Sequence, residues 1–255
     1  MGSTSESGVA TLLASFEKVV NAGSSLGTGY SPSNPLLKVT ALNTQLGNAQ
    51  TAVQNYNVAK LNYDTVTNTR DLLFKTSPTI ITRIINTLAA CGANKETIKD
   101  GRFFVRKLRG GRVKAVAKPG TTEPTPEGTD GTSEESAPKI NSVSQQSFEF
   151  KTEYFSQLVL LVSAEPKYNP SEADLKVTAL NTLLTDMKVK NSAVISAANT
   201  LSVARINRDK ALYDPNTGLV VTGLGVKTTI KGAYGTKSPQ YKMVANLKFV
   251  NKRKS

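Results

Sequence analysis

A chain of 255 residues with a formal net charge of +13 is long enough for one large domain or two ordinary ones, each able to bury a core. The absence of histidine removes Ser-His-Asp and Cys-His nucleophilic machinery, the common neutral-pH general base and histidine-ligated zinc. A single cysteine excludes an internal disulfide and thiolate metal clusters, and 38% hydrophobic with only 6% aromatic residues points to helices packed through small and aliphatic side chains.

At the N-terminus no basic residue precedes Lys18, so the start of a secretory signal is missing. "MGSTSE" comes close to a myristoylation signal, but Glu6 stands where that signal needs Ser or Thr. No uncharged apolar run reaches the roughly 18 residues of a membrane helix. The expectation is a cytoplasmic protein with no membrane insertion.

The first predicted element is a short helix over "VATLLASFEKVVNA", residues 9–22, followed by the loop "NAGSSLGTGYSP". Ser33 is then the expected N-cap of a long helix, with Pro35 in its first turn. Val39, Leu42, Leu46, Ala49, Val53, Tyr56 and Tyr63 step by threes and fours, which draws one apolar stripe along a helix of about 35 residues, near 50 Å. Arg70-Asp71 near its end recurs as Arg208-Asp209 in the second half, and each arginine is expected to cap the last carbonyls of its helix and to pair with nearby acids. A separate apolar segment, residues 77–92, holds Cys91, where a thiol behaves as a small hydrophobe. "NKETIKDGRFFVRK" closes the half with a basic end.

Residues 118–140 change composition abruptly to Pro, Gly, Thr and Glu, with no large apolar side chain before Ile140. Such a segment cannot offset its ordering entropy and is expected to be a flexible, disordered acidic linker. Beyond it the same order recurs: a short helix over 147–164, a long helix after Ser171, an apolar segment over 217–235 and a basic end. Residues 30–46, "YSPSNPLLKVTALNTQL", share 12 of 17 positions with residues 168–184, "YNPSEADLKVTALNTLL". Val177, Leu180, Leu184, Met187, Asn191, Val194 and Leu201 keep the phase of the first stripe, with only Asn191 interrupting it. The reading is an internal duplication. It gives a first helical repeat at 1–117 with a basic C-terminal end, the linker at 118–140, and a second helical repeat at 141–255 with a basic tail. The expected fold class is all-α: two tandem helical-bundle repeats, each with one long amphipathic helix, joined by the linker. Thr40, Asn43 and Thr44, with their copies Thr178, Asn181 and Thr182, are polar residues kept beside the stripe and are the expected repeat interface.

The run from "SVSQQSFEFKTEYFSQLVLLVSA" through "DLKVTALNTLL" to "ARINRDKALY" resembles uncharacterised bacterial proteins, mainly from Bacteroidota, with duplicated helical segments. The resemblance covers residues 141–249 and, more loosely, the first half. It implies the repeat and brings no activity with it.

Charge carries the functional signal. Residues 99–118 hold eight basic residues against Asp100, and residues 227–255 hold eight against none, so these two segments exceed the net charge of the whole chain. Lys99, Arg102, Arg106, Lys107, Arg109, Arg112 and Lys114, with Lys248, Lys252, Arg253 and Lys254, are the candidate contacts to an anionic partner, since Arg and Lys neutralise phosphates with counterion release. Phe103 and Phe104 interleave with the arginines and could stack on bases, but the recurrence of Phe-Val at 104–105 and 249–250 reads as core closure. The Gly, Lys and Thr clusters near residues 223–238 lack the spacing of a phosphate-cradling loop. The only adjacent acidic pair, Glu134 and Glu135, falls in the linker. The expectation is therefore a non-catalytic protein, with no cofactor, no metal and no small-molecule substrate. Its basic segments would dock on an anionic polymer, nucleic acid or a ribonucleoprotein. The alternative is a structural or assembly protein that self-associates through its long helices, with the charge serving solubility or an acidic protein partner.

Overall fold

In a computed structural model, residues 4–110 and 147–250 are described, and they form seven α-helices and no strand. The helices are α1 (Thr4–Ser25), α2 (Val39–Ala90), α3 (Lys95–Leu108), α4 (Phe148–Ala164), α5 (Val177–Tyr213), α6 (Leu219–Tyr234) and α7 (Pro239–Ala245). The all-α class is as expected. The predicted linker at 118–140 lies outside the described residues. No helix among the described residues is long and apolar enough to cross a membrane.

The helices gather into two compact units that do not follow the sequence halves 1–117 and 141–255. The first unit takes residues up to Thr67 and from Val194 onward; the second takes Asn68–Ala193. In the first, Phe16, Val19 and Val20 of α1 share a core with Leu219, Val226 and Ile230 of α6, Val244 of α7 and Phe249. In the second, Phe155, Leu158, Val159 and Val162 of α4 share a core with Ile81, Ile84 and Leu88 of α2 and Val105 of α3. Each short helix thus has its apolar stripe covered by helices from the other half of the sequence. Most of these side chains are almost fully buried, and each contributes roughly 1.5–3 kcal/mol of transfer free energy.

The two long helices differ in length for a local reason. α5, at 37 residues, matches the expected span, whereas α2 runs for 52 and absorbs the segment 77–92 that the sequence sets apart. Pro78 lies inside α2 and lacks the N–H that would bond the Phe74 carbonyl. The Ser77 hydroxyl donates to that carbonyl at 2.9 Å, so the helix continues. After α5, Asp214 ends the run instead. Its Oδ1 accepts from the backbone amides of Asn216 and Thr217 at 2.9 and 2.8 Å, and Pro215 cannot continue the ladder. These amides and the Thr217 hydroxyl hold the Asp214 carboxyl below its ordinary value. Gly218 closes the turn, since a Cβ there would lie 2.5 Å from the Asp214 nitrogen.

The helix starts also differ from expectation. Asn34, not Ser33, caps the first, its side chain accepting from Leu36 N at 3.0 Å, and Glu172, not Ser171, stands at the second. A single 3-10 turn follows in each case, at Pro35–Leu37 and Ala173–Leu175, and Lys38 and Lys176 are extended before the α-helix begins. The buried rings of Tyr30 and Tyr168 fix this geometry: their hydroxyls donate to the carbonyls of Leu37 and Leu175 at 2.8 and 3.1 Å. Burial pushes both phenols up to about 12.

The stripes face inward as read, with Leu42, Ala49, Leu180, Leu184, Met187, Val194 and Leu201 buried. Asn191, the interruption, is buried too, and its Nδ2 donates to Thr152 Oγ1 of α4 at 3.0 Å. Arg70 and Arg208 do not cap helix ends. Each reaches the aspartate that follows it and lies over an aromatic ring, Arg70 on Phe148 at 3.7 Å and Arg208 on Tyr56 at 4.0 Å.

Candidate anion-binding cleft

The basic end of the first half forms α3, in the second unit. Asn94 caps the helix by accepting from Thr97 N at 2.7 Å, Glu96 sits in the first turn, and Arg106 and Lys107 sit in the last, each charge matched to the helix dipole. The preceding helix ends at Ala90 and the chain turns at Gly92, whose φ of 81° suits glycine without strain; Lys167 Nζ donates to the Gly92 carbonyl at 2.8 Å.

Gly101, Val105 and Leu108 form the buried face of α3, spaced by four and three. Gly101 is what lets α3 approach α2 closely, because a Cβ there would stand 2.8 Å from Ile85 Cδ1 and 3.1 Å from Leu88 Cδ2. Arg102, Arg106 and Arg109 follow these residues by one, so they repeat the spacing one step around the helix. They line a cleft of about 440 Å³ whose α2 wall is Thr82, Ile85, Asn86 and Ala89. Arg109 Nη2 donates to Thr82 Oγ1 at 2.6 Å, and that hydroxyl donates onward to the Pro78 carbonyl at 2.8 Å. The Thr82 proton is therefore committed, and its oxygen orients the guanidinium.

Among the described residues, no carboxylate lines this cleft. Three planar guanidiniums beside a hydroxyl and an amide suit bidentate contacts to phosphate oxygens. Arg106 and Lys107 lie 5.8 and 5.7 Å from the partly exposed Phe103 ring, and Phe104 packs edge-on to that ring with centroids 5.6 Å apart. Lys99 reaches Glu96 at 3.5 Å on an exposed surface, where such a pair contributes little.

The other sequence-derived candidates are not gathered here. Lys248 is exposed but belongs to the first unit. Arg112, Lys114, Lys252, Arg253 and Lys254 lie outside the described residues. Lys227, counted in the C-terminal basic segment, is structural: its Nζ donates to the carbonyls of Ala245 and Leu247 at 2.9 and 2.8 Å and fastens the chain after α7. Thr40, Asn43 and Thr44 fall in the first unit, and Thr178, Asn181 and Thr182 in the second; all six are exposed. Thr44 and Thr182 return their hydroxyls to the carbonyls of Thr40 and Thr178, and Asn181 bonds the Val177 carbonyl. The α2 wall carries no charge that would mark it in the sequence, although Thr82, Ile85, Asn86 and Ala89 have the three-four spacing of a helix face.

Comparisons with protein-family models, with curated proteins and with solved structures found no match.

Proposed function

We propose that this is a non-catalytic, cytoplasmic binding protein that docks on the phosphate backbone of nucleic acid, alone or within a ribonucleoprotein, through α3. The observation that carries the reading is the row of Arg102, Arg106 and Arg109 along one cleft that, among the described residues, no carboxylate lines. Nearby Lys99 and Lys107 widen the positive field, and the cleft lies in the segment that concentrates the charge of the chain. The test is anisotropy titration of labelled single-stranded RNA and duplex DNA with the intact protein and with the triple variant Arg102→Gln, Arg106→Gln, Arg109→Gln. The proposal expects binding that is markedly weaker in the triple variant with its helical content unchanged. Equal binding by both proteins overturns it, as does retention of an acidic protein with no nucleic acid.

The finer architecture belongs to the same proposal: a duplicated helical unit whose copies exchange partners. Three kinds of pairing support it. Tyr30 and Tyr168 make the same bond to the carbonyl seven residues on. Phe16, Val19 and Val20 match the spacing and burial of Phe155, Leu158 and Val159. Phe74, Ile81 and Leu88 are buried as are Leu212, Leu219 and Val226, 138 residues later.

A further inference from the structure

Within the first unit, α2 and α5 meet across a thin core in which only Ala59, Leu201 and Ala204 are buried, with Tyr56 and Tyr63 packed against them. Beside it runs an open groove of about 630 Å³ with Ala52, Asn55 and Ala59 on one wall and Val203, Ala204 and Asn207 on the other. Large apolar side chains border it. Val58 follows Asn55 by three and Ile206 follows Val203 by three, which places both along the groove margins. Val58 and Val203 are each 57% exposed and Ile206 is 64% exposed.

The charge pattern is the unusual part. In a chain of net charge +13, residues 39–59 of α2 contain no charged residue, and neither do residues 191–204 of α5. A nucleic acid finds no cation among the groove residues, and a charged protein finds no counter-charge. Two copies of this chain repel each other over most of their surface. An uncharged face, in which alanine and valine alternate with asparagine and threonine, is where they can meet without opposing like charges, and charge depletion marks the core of protein interfaces. The face is also complementary to itself, since it offers a floor of small residues and a ridge of Val58 and Ile206. Two-fold pairing would seat the ridge of each copy in the groove of the other.

We propose that this groove is a self-association surface whose occupant is the same α2 and α5 face of a second copy. The salt dependence separates this inference from the nucleic-acid reading. Screening relieves repulsion between two cationic copies, so added salt should strengthen self-association, whereas it weakens binding to phosphates.

The test is sedimentation velocity of the intact protein across a range of concentrations at low and high salt. The expected result is a species of twice the 27.2 kDa chain mass that gains population with salt. Val203→Glu and Val58→Glu, both at exposed positions, should weaken it about tenfold or more while leaving circular dichroism unchanged. Leu160→Glu, at an exposed apolar position on α4, should leave it intact. A strictly 27.2 kDa species at all concentrations overturns the inference. So does a dimer that survives both groove variants, or one that dissolves as salt rises.

Discussion

Replacing Gly223 with alanine adds one methyl group on the buried face of α6, where the ring of Phe249 already lies. The new Cβ would stand 2.5, 2.7 and 2.8 Å from Cε1, Cδ1 and Cζ of that ring, against an ordinary contact of 3.4–4 Å. The ring must withdraw by about 1 Å or leave its site, and overpacking of this kind costs roughly 1–3 kcal/mol. Full expulsion of the phenylalanine would forfeit roughly 1.5–3 kcal/mol of burial. Alanine returns about 1 kcal/mol of helix propensity, so the net loss should be up to about 2 kcal/mol. In a Phe249→Ala background the methyl meets no ring, and the same substitution should instead stabilise by up to about 1 kcal/mol. The propensity gain is common to both backgrounds, so the coupling energy of the cycle is the overpacking cost, about 1–3 kcal/mol. Urea unfolding followed by circular dichroism measures all four proteins. Equal effects of Gly223→Ala in the two backgrounds would refute the packing of the C-terminal segment on α6.

Two further predictions probe the helix starts and the exchange of partners. Of the eight tyrosines, Tyr30 and Tyr168 should ionise late, at about 12, in the native protein and normally in urea. The folded state favours the neutral phenols, so this contribution is fully present below about pH 10 and is lost as the pH rises through 12. A native alkaline titration in which every phenol ionises near pH 10 contradicts the burial. Separately, cutting the chain at a protease site placed within residues 118–139 should leave two fragments that elute together, because the first unit needs α1 from one fragment and α6 and α7 from the other. Fragments that separate without denaturant would show that each half folds by itself.

Much of this fold is legible in the residues. The periodic stripes place Leu42, Ala49, Leu180 and Met187 correctly because helical spacing depends on local geometry alone. Helix ends depend on single side chains, and there the sequence is ambiguous. Ser77-Pro78 and Asp214-Pro215 both look like breaks, yet a hydroxyl within reach of the Phe74 carbonyl carries α2 through one, while a carboxylate gathering two amides stops α5 at the other. The partner of each stripe is not legible at all. Periodicity shows that Phe16 and Phe155 face inward, but not that the helices covering them come from the opposite half. The arginines of α3 are visible as charge, whereas the cleft depends on the close approach at Gly101 and on the α2 face of Thr82 and Asn86. The uncharged stretch 39–59 is plain in the sequence and gains meaning only beside residues 199–207.

The claim that α3 grips a phosphate backbone is tested most directly by the salt dependence of nucleic-acid affinity. Each phosphate neutralised contributes about −0.7 to −0.9 to the slope of log affinity against log salt. Removing the charges of Arg102, Arg106 and Arg109 should make the slope shallower by about 2 to 3, so the cost of the triple substitution falls roughly 20- to 40-fold between 50 and 200 mM salt. A triple variant with the wild-type slope would place the contacts elsewhere and contradict the account.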